Sequence, residues 1–252
     1  MSVLALRLGG PLQAWGSSQR LERHRRTERV PTKSAVVGLV AAALGRSRHD
    51  TIDDLASLRF GVRTDKAGEV IRDFHTVSSL FDAHGDFTPG QGRLPTAKGG
   101  YRSPETSTQV TERYYLADAC FVAGLEGGVG LLQQIDEALK RPVFGLYLGR
   151  RSCPPDAPLR LGLHDGSLED VLRALPLQVG PESPDEQPLI RCELVLEDPA
   201  GDREVVDQVR TFDPVLRSYG RRRVRHVDIE VPNPRYAAGS RSHDPMALLE
   251  SQ

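Results

Sequence analysis

The sequence predicts an α+β protein whose N-terminal part follows the ferredoxin-like order strand, helix, strands, helix, strand. Three observations carry that prediction. Short apolar or alternating segments stand at residues 2–8, 58–64, 69–77, 111–123 and 143–148, and segments with period-3.6 stripes stand at 31–46 and 130–140. At 252 residues, 38% of them hydrophobic, the chain is long enough to bury a sizeable core.

The first strand, residues 2–8, places Leu4, Leu6 and Leu8 on one face, and Gly9-Gly10-Pro11 is expected to end it in a turn. Residues 12–30 have little periodicity and much charge. In the helix expected over 31–46, Pro31 suits the first position, Thr32 or Ser34 can cap it, and Val36, Leu39, Val40, Ala43 and Leu44 form its apolar stripe. Leu58–Thr64 and Glu69–Val77 read as strands joined across Asp65-Lys66-Ala67-Gly68, a turn of hairpin chemistry. Ser78–Val110 is rich in Gly, Pro, Ser and Thr and too long for a connection, so it is either an arm projecting from a hairpin or disordered. Residues 111–123 are apolar enough for a central strand. The helix over 130–140 turns Leu131, Leu132, Ile135 and Leu139 inward, and Val143–Leu148 reads as the last strand of this part.

Beyond Pro154-Pro155 the character changes. Pro181–Pro188 is linker-like, 190–197, 204–211 and 223–231 are strand-like, and 237–252 reads as a loose tail. Two units are expected, residues 1–155 and a smaller β-rich part, 156–252.

Composition excludes several classes. No window approaches the roughly 18 apolar residues of a membrane span, and the start of the chain breaks off too soon for a signal peptide, so a cytoplasmic protein without membrane contact is expected. Cys120, Cys153 and Cys192 have no close pairing, and no H-E-x-x-H or C-x-x-C spacing occurs, so no metal and no cofactor is expected. The net charge of -1 argues against indiscriminate coating of nucleic acid. Only four of the 33 basic residues are lysines (Lys33, Lys66, Lys98 and Lys140), a bias that either phosphate binding or a GC-rich genome produces.

The informative charge is local. A lysine in a first helical turn opposes the macrodipole, so Lys33, with Ser34, Arg29 and free backbone N–H groups, reads as an anion cradle. Arg20, Arg23, His24, Arg25 and Arg26 extend the basic run. Residues 26–31 hold no glycine, so the nest of a nucleotide-binding P-loop is missing and ATP is not expected. Trp15, the sole tryptophan, is either core or a stacking platform for an unpaired base. Arg150 and Arg151 in Leu148-Gly149-Arg150-Arg151-Ser152-Cys153-Pro154 point to phosphate or to an acidic partner. His24 and His75 could serve as general base and acid in metal-free RNA cleavage, with Tyr114 or Tyr115 as a spare acid, although a strand-end histidine more often makes a structural hydrogen bond. Arg217, Arg221, Arg222, Arg223 and Arg225 form a second cluster, which solvent alone could account for.

Gly9-Gly10-Pro11-Leu12-Gln13-Ala14-Trp15-Gly16, Pro31-Thr32-Lys33-Ser34, Asp73-Phe74-His75-Thr76-Val77 and the 148–154 loop, taken together and in this order, resemble the CasD family of type I-E CRISPR Cascade complexes, within the RAMP superfamily. The resemblance covers residues 1 to about 165. It implies a ferredoxin-like RNA-binding domain with a long thumb, here residues 78–110, and a smaller C-terminal part. It also implies a non-catalytic subunit that caps the 5′ handle of the crRNA in antiviral defence. Carried over by position, Trp15, Arg25, Arg26, Arg29, Lys33, Ser34, His75, Arg150 and Arg151 would hold the handle, and Arg102 and Gln109 of the thumb would touch RNA. The implied partners are the backbone subunit next to the thumb and the large PAM-reading subunit. Related type I-C proteins cleave repeat RNA, which keeps a metal-independent endoribonuclease built on His24 and His75 as the alternative.

Overall fold

The computed structural model describes residues 2–16, 24–77, 96, 99–100, 109–178, 188–234 and 236. In chain order the elements are β1 (Ser2–Gln13), β2 (His24–Arg25), α1 (Lys33–Ala43), α2 (Asp53–Ala56), β3 (Arg59–Lys66), β4 (Glu69–Val77) and β5 (Gln109–Gly127). These are followed by α3 (Val129–Lys140), β6 (Arg160–Asp165), α4 (Leu168–Ala174), β7 (Leu189–Glu197), β8 (Arg203–Thr211) and β9 (Ser218–Pro232). All nine strands join one mainly antiparallel sheet in the order β6-β1-β5-β3-β7-β9-β8, with β2 and β4 added to β5. A large, mainly antiparallel sheet with a few helices makes this a mixed α+β fold.

Both faces of the sheet are covered at its centre. Leu4, Leu6 and Leu8 of β1 face a core shared with Val36, Leu39 and Val40 of α1 and Leu132 and Ile135 of α3. Val3 and Ala5 face a second core under Leu168, Val171 and Leu172 of α4. The Leu4–Leu6–Leu8 alternation was therefore legible, and the burial of the opposite face was not.

Three expectations about the elements need correction. Gly9-Gly10-Pro11 does not end β1, which pairs with β5 as far as Gln13↔Leu116. Gly10 lets the strand pass beneath residues 154–155, because a Cβ there would lie 2.9 Å from the Pro154 carbonyl oxygen. Pro11 is tolerated because β6 has already left that side of β1 at Leu6.

Asp65-Lys66-Ala67-Gly68 is not a hairpin turn either. β3 and β4 both run antiparallel to β5 in successive register, Lys66↔Cys120 and then Glu69↔Ala117, so they form one long strand broken by a bulge. The bulge falls between Thr64 and Lys66, where Asp65 is the extra residue, and the pairing is then interrupted opposite Asp118 (φ 57°) at Gly68 (φ 66°), where a Cβ would come within 2.4 Å of the Ala117 carbonyl oxygen.

Residues 143–148, finally, form no strand. The Val143 and Phe144 amides donate to the carbonyls of Ala43 and Ala42 at the end of α1, at 3.1 and 3.3 Å, so the segment packs against the helix C-terminus and helps to cap it. Its place beside β1 is taken by β6.

The expected thumb, 78–110, lies almost wholly outside the described residues, as does Arg102, and Gln109 is described only as the first residue of β5. Its two ends meet in the pair Val77↔Gln109.

Candidate functional site

The first turn of α1 does find an anion, and the anion comes from the chain itself. Thr32 is the N-cap, its hydroxyl accepting from the Ala35 amide at 3.3 Å, so the helix begins two residues after Pro31. The Lys33 amide donates to Asp207 of β8 at 2.8 Å, and the Lys33 ammonium donates to both oxygens of Glu197 of β7 at 3.1 and 2.9 Å. Arg222 of β9 closes the network on Asp207 with bonds of 2.6 and 2.9 Å. Lys33 is 1% exposed and Ser34 is buried beside Thr32. Burial pushes the Lys33 ammonium below its ordinary pKa, with Glu197 pulling part of the way back. The seat expected to hold phosphate thus holds a carboxylate.

Trp15 takes the core reading, with a ring that is fully buried. Its indole N–H donates to Gln13 at 3.0 Å, and the Gln13 amide donates to the carbonyls of Leu8 and Ala119. No face of the ring is free to stack on a base.

Other expected residues converge on the lower half of β5. There β5 leaves the main sheet flanked by β2 and β4 as a three-stranded ribbon, whose register decides which side chains share a face. Arg25, Arg113 and Asp73 are mutually paired, and His75 pairs with Thr111, so these residues and Tyr115 stand on one side. Arg150 crosses that side, donating to the carbonyls of Tyr114 at 3.1 Å and Arg25 at 2.9 Å, with its guanidinium 4.6 Å from the Tyr115 ring centroid. Burial alone would raise the Tyr115 phenol; hydrogen bonds from Ser152 and Arg150 and the Arg150 charge outweigh it and hold the pKa below its ordinary value. Arg26, Arg29 and Arg151 are exposed nearby in sequence, and among the described residues no carboxylate pairs with Arg25, Arg26, Arg29, Arg113 or Arg150. The result is a face on which the guanidinium groups of Arg25, Arg113 and Arg150 surround one acid, Asp73, which is engaged by His75, at the base of the expected thumb.

The 148–154 loop is clasped to the end of β1. The Ala14 amide donates to Leu148, and Gly149 adopts φ 97° because a Cβ there would lie 1.8 Å from the Ala14 carbonyl oxygen. Two motifs distant in sequence are thus one structural unit that aims Arg150.

Comparison with known proteins decides what this arrangement is part of. A family model described as "CRISPR-associated protein (Cas_Cas5)" matches residues 3–225. The chain belongs to the Cas5 family. "CRISPR system Cascade subunit CasD" of Escherichia coli (strain K12) is 37% identical over 175 residues, covering 64% of this chain and 70% of that protein. A solved structure described as "CRISPR RNA-guided surveillance complex" superposes with a TM-score of 0.76 at 31% identity, covering 98% of both chains. Another, "Crystal structure of Cas protein", gives 0.66 at 36% identity over 94% of this chain and 98% of that one.

In this Cas5 chain the two histidines stand apart. His24 pairs with Glu112, whose carboxylate lies 3.2 Å from the His24 Nδ1, whereas His75 pairs with the adjacent Thr111 and is bonded to Asp73. Neighbouring residues of a strand point to opposite faces, so His24 and His75 lie on opposite sides of the ribbon. One phosphodiester cannot lie between them in this arrangement.

The reading of the sequence missed Arg113 altogether and saw Tyr115 only as a spare acid. Arg113 sits in an alternating strand with nothing local to mark it, and its place beside Arg25 follows only from the Arg25↔Arg113↔Asp73 register.

Proposed function

We propose that this Cas5 chain is a non-catalytic Cascade subunit, cytoplasmic, that binds and caps the 5′ handle of crRNA. The observation that carries the reading is the arginine face of the β2–β5–β4 ribbon in a chain of this family. Arg25, Arg113 and Arg150 bring positive charge to one side of a β surface, with His75 beside them as a further donor, and Arg26, Arg29 and Arg151 add charge around it. In this reading residues 1–155, completed by β6, are the RNA-binding unit. The sub-order β6-β1-β5-β3 supports a ferredoxin-like reading, with β3 and β4 counted together as its second strand. Residues 156–252 form the smaller β-rich part, and 78–110 is the thumb that reaches the neighbouring backbone subunit, with Arg102 and Gln109 as its RNA contacts. The large PAM-reading subunit is the other partner.

Placement on opposite faces supports binding over cleavage, because general acid and general base must both reach one phosphate. The test is incubation of the purified chain with its cognate repeat RNA in the absence of metal. Intact RNA is expected; specific cleavage that disappears in His24→Ala or His75→Ala would overturn the reading.

A further inference from the structure

The side of the ribbon opposite the arginines carries its own feature. Among the described residues β4 is paired only with β5 and forms the outer strand of the ribbon. Phe74 of β4 is 59% exposed and pairs with Glu112, which also pairs with His24, while Arg72 pairs with Tyr114. Phe74, Arg72, His24 and Tyr114 therefore share one side, around a single acid. That acid is occupied: the Glu112 carboxylate accepts from the Tyr114 hydroxyl at 3.2 Å, contacts His24 at 3.2 Å and lies 3.8 Å from the Arg72 guanidinium.

From this we infer that Phe74 is a stacking platform for one unpaired base of bound single-stranded RNA. The inference rests on the RNA-binding reading above and adds to it the second side of the ribbon. An aromatic ring with no cover, beside a guanidinium and an imidazole, on a β surface, has the chemistry that nucleobases stack on. Geometry supplies the route. His75 and Phe74 are consecutive on a strand that is outermost among the described residues and point to opposite sides, so an RNA strand whose phosphates pass the arginine side reaches Phe74 by turning around the outer edge of β4. A protein partner could also cover Phe74, but it would have to desolvate Arg72 and His24, with Glu112 already engaged, whereas RNA brings phosphate to both.

The experiment measures binding of the full-length chain to a single-stranded RNA carrying the repeat-derived 5′ handle, across a range of salt. Phe74→Ala is expected to weaken binding by about 5- to 100-fold without changing the salt slope, since a stacked base and no phosphate contact is lost. Phe74→Trp should bind about as tightly as the parent. Phe74→Leu keeps the apolar bulk and the fold and should show most of the loss. If Phe74→Ala and Phe74→Leu both bind like the parent while Arg25→Glu and Arg150→Glu weaken binding, the inference falls and the RNA-binding reading stands. If none of the four alters affinity, the RNA-binding reading itself falls. Unchanged RNA affinity together with loss of co-purifying partner subunits in Phe74→Leu would assign Phe74 to a protein contact and overturn the inference.

Discussion

Two basic regions of this chain read alike in sequence and end differently in three dimensions. The first turn of α1, with Lys33 beneath a positive helix end, has the stronger local case for an anion, yet Asp207 and Glu197 fill it from strands more than 160 residues away. The lower half of β5 has the weaker local case, and Arg25, Arg113 and Arg150 on its one side pair with no carboxylate among the described residues. The difference lies in topology. The order β3-β7-β9-β8 lays the C-terminal strands beside β3 and so brings Glu197, Asp207 and Arg222 to the start of α1. The ribbon leaves the sheet on the far side of the bulge and receives no such neighbours.

The largest effect that separates the two regions is on stability. Asp207→Ala removes the acceptor of the Lys33 amide and of the bidentate Arg222 guanidinium, leaving buried charge without a partner. A loss of about 3 to 5 kcal/mol is expected in chemical denaturation. RNA affinity of the folded protein should not change. If the variant kept its stability and lost RNA binding, the first turn of α1 would be the RNA site after all and the comparison would be reversed.

Charge reversal on the ribbon is the converse test. Arg25→Glu combined with Arg26→Glu should leave the unfolding midpoint within about 0.5 kcal/mol of the parent, as surface changes usually do. It should reduce the slope of log affinity against log salt by roughly 0.7 for each phosphate contact removed. A weakened affinity with an unchanged slope would mean that these arginines act through the ribbon's shape and not on phosphate.

Much of the fold was legible because it rests on local pattern. The stripe Val36–Leu39–Val40 and the alternation of Leu4, Leu6 and Leu8 are core where periodicity put them. What failed were the places where a local signal has a tertiary use. Gly9-Gly10-Pro11 has turn chemistry but serves a close approach to Pro154, and Asp65–Gly68 has hairpin chemistry but carries a bulge at Asp65 and a break opposite Asp118 within one long strand. Arg25, His75 and Arg150, expected one by one from the sequence, are brought to one side of the ribbon by strand register and by the 148–154 loop. Lys33, Ser34 and Trp15 were misplaced because burial depends on partners that a one-dimensional reading cannot bring together, and Arg113 was missed for the same reason.

The two halves of β5 should also differ in their response to alkali. Burial pushes the Cys120 thiol, in the upper half, up to about 12, and the Cys192 thiol on β7 up to about 11, from an ordinary 9.0. Because the folded values are raised, the neutral thiols contribute stability that is fully present below pH 9 and lost as pH rises toward 11 to 12. Thiol-labelling reagents at pH 8 should therefore leave both cysteines unmodified in the folded protein and modify them on denaturation. Rapid labelling of Cys120 at pH 8 would show that the upper half opens as readily as the ribbon, and the contrast between closed sheet and open ribbon would weaken.

The smallest expected effect is a null, and it discriminates well. Trp15 is the sole tryptophan, so intrinsic emission reports one ring, buried in the core and hydrogen-bonded to Gln13. A base stacked on an indole changes its emission strongly, whereas a base held on the ribbon has no contact with this ring. Saturating RNA should leave the emission maximum and intensity of the parent nearly unchanged. In Phe74→Trp, where a second indole stands on the exposed side of β4, the same RNA should quench the added signal. Quenching of the parent protein would move the stacked base from the ribbon to the end of β1, and would require the core around Trp15, Gln13 and Ala119 to open when RNA binds.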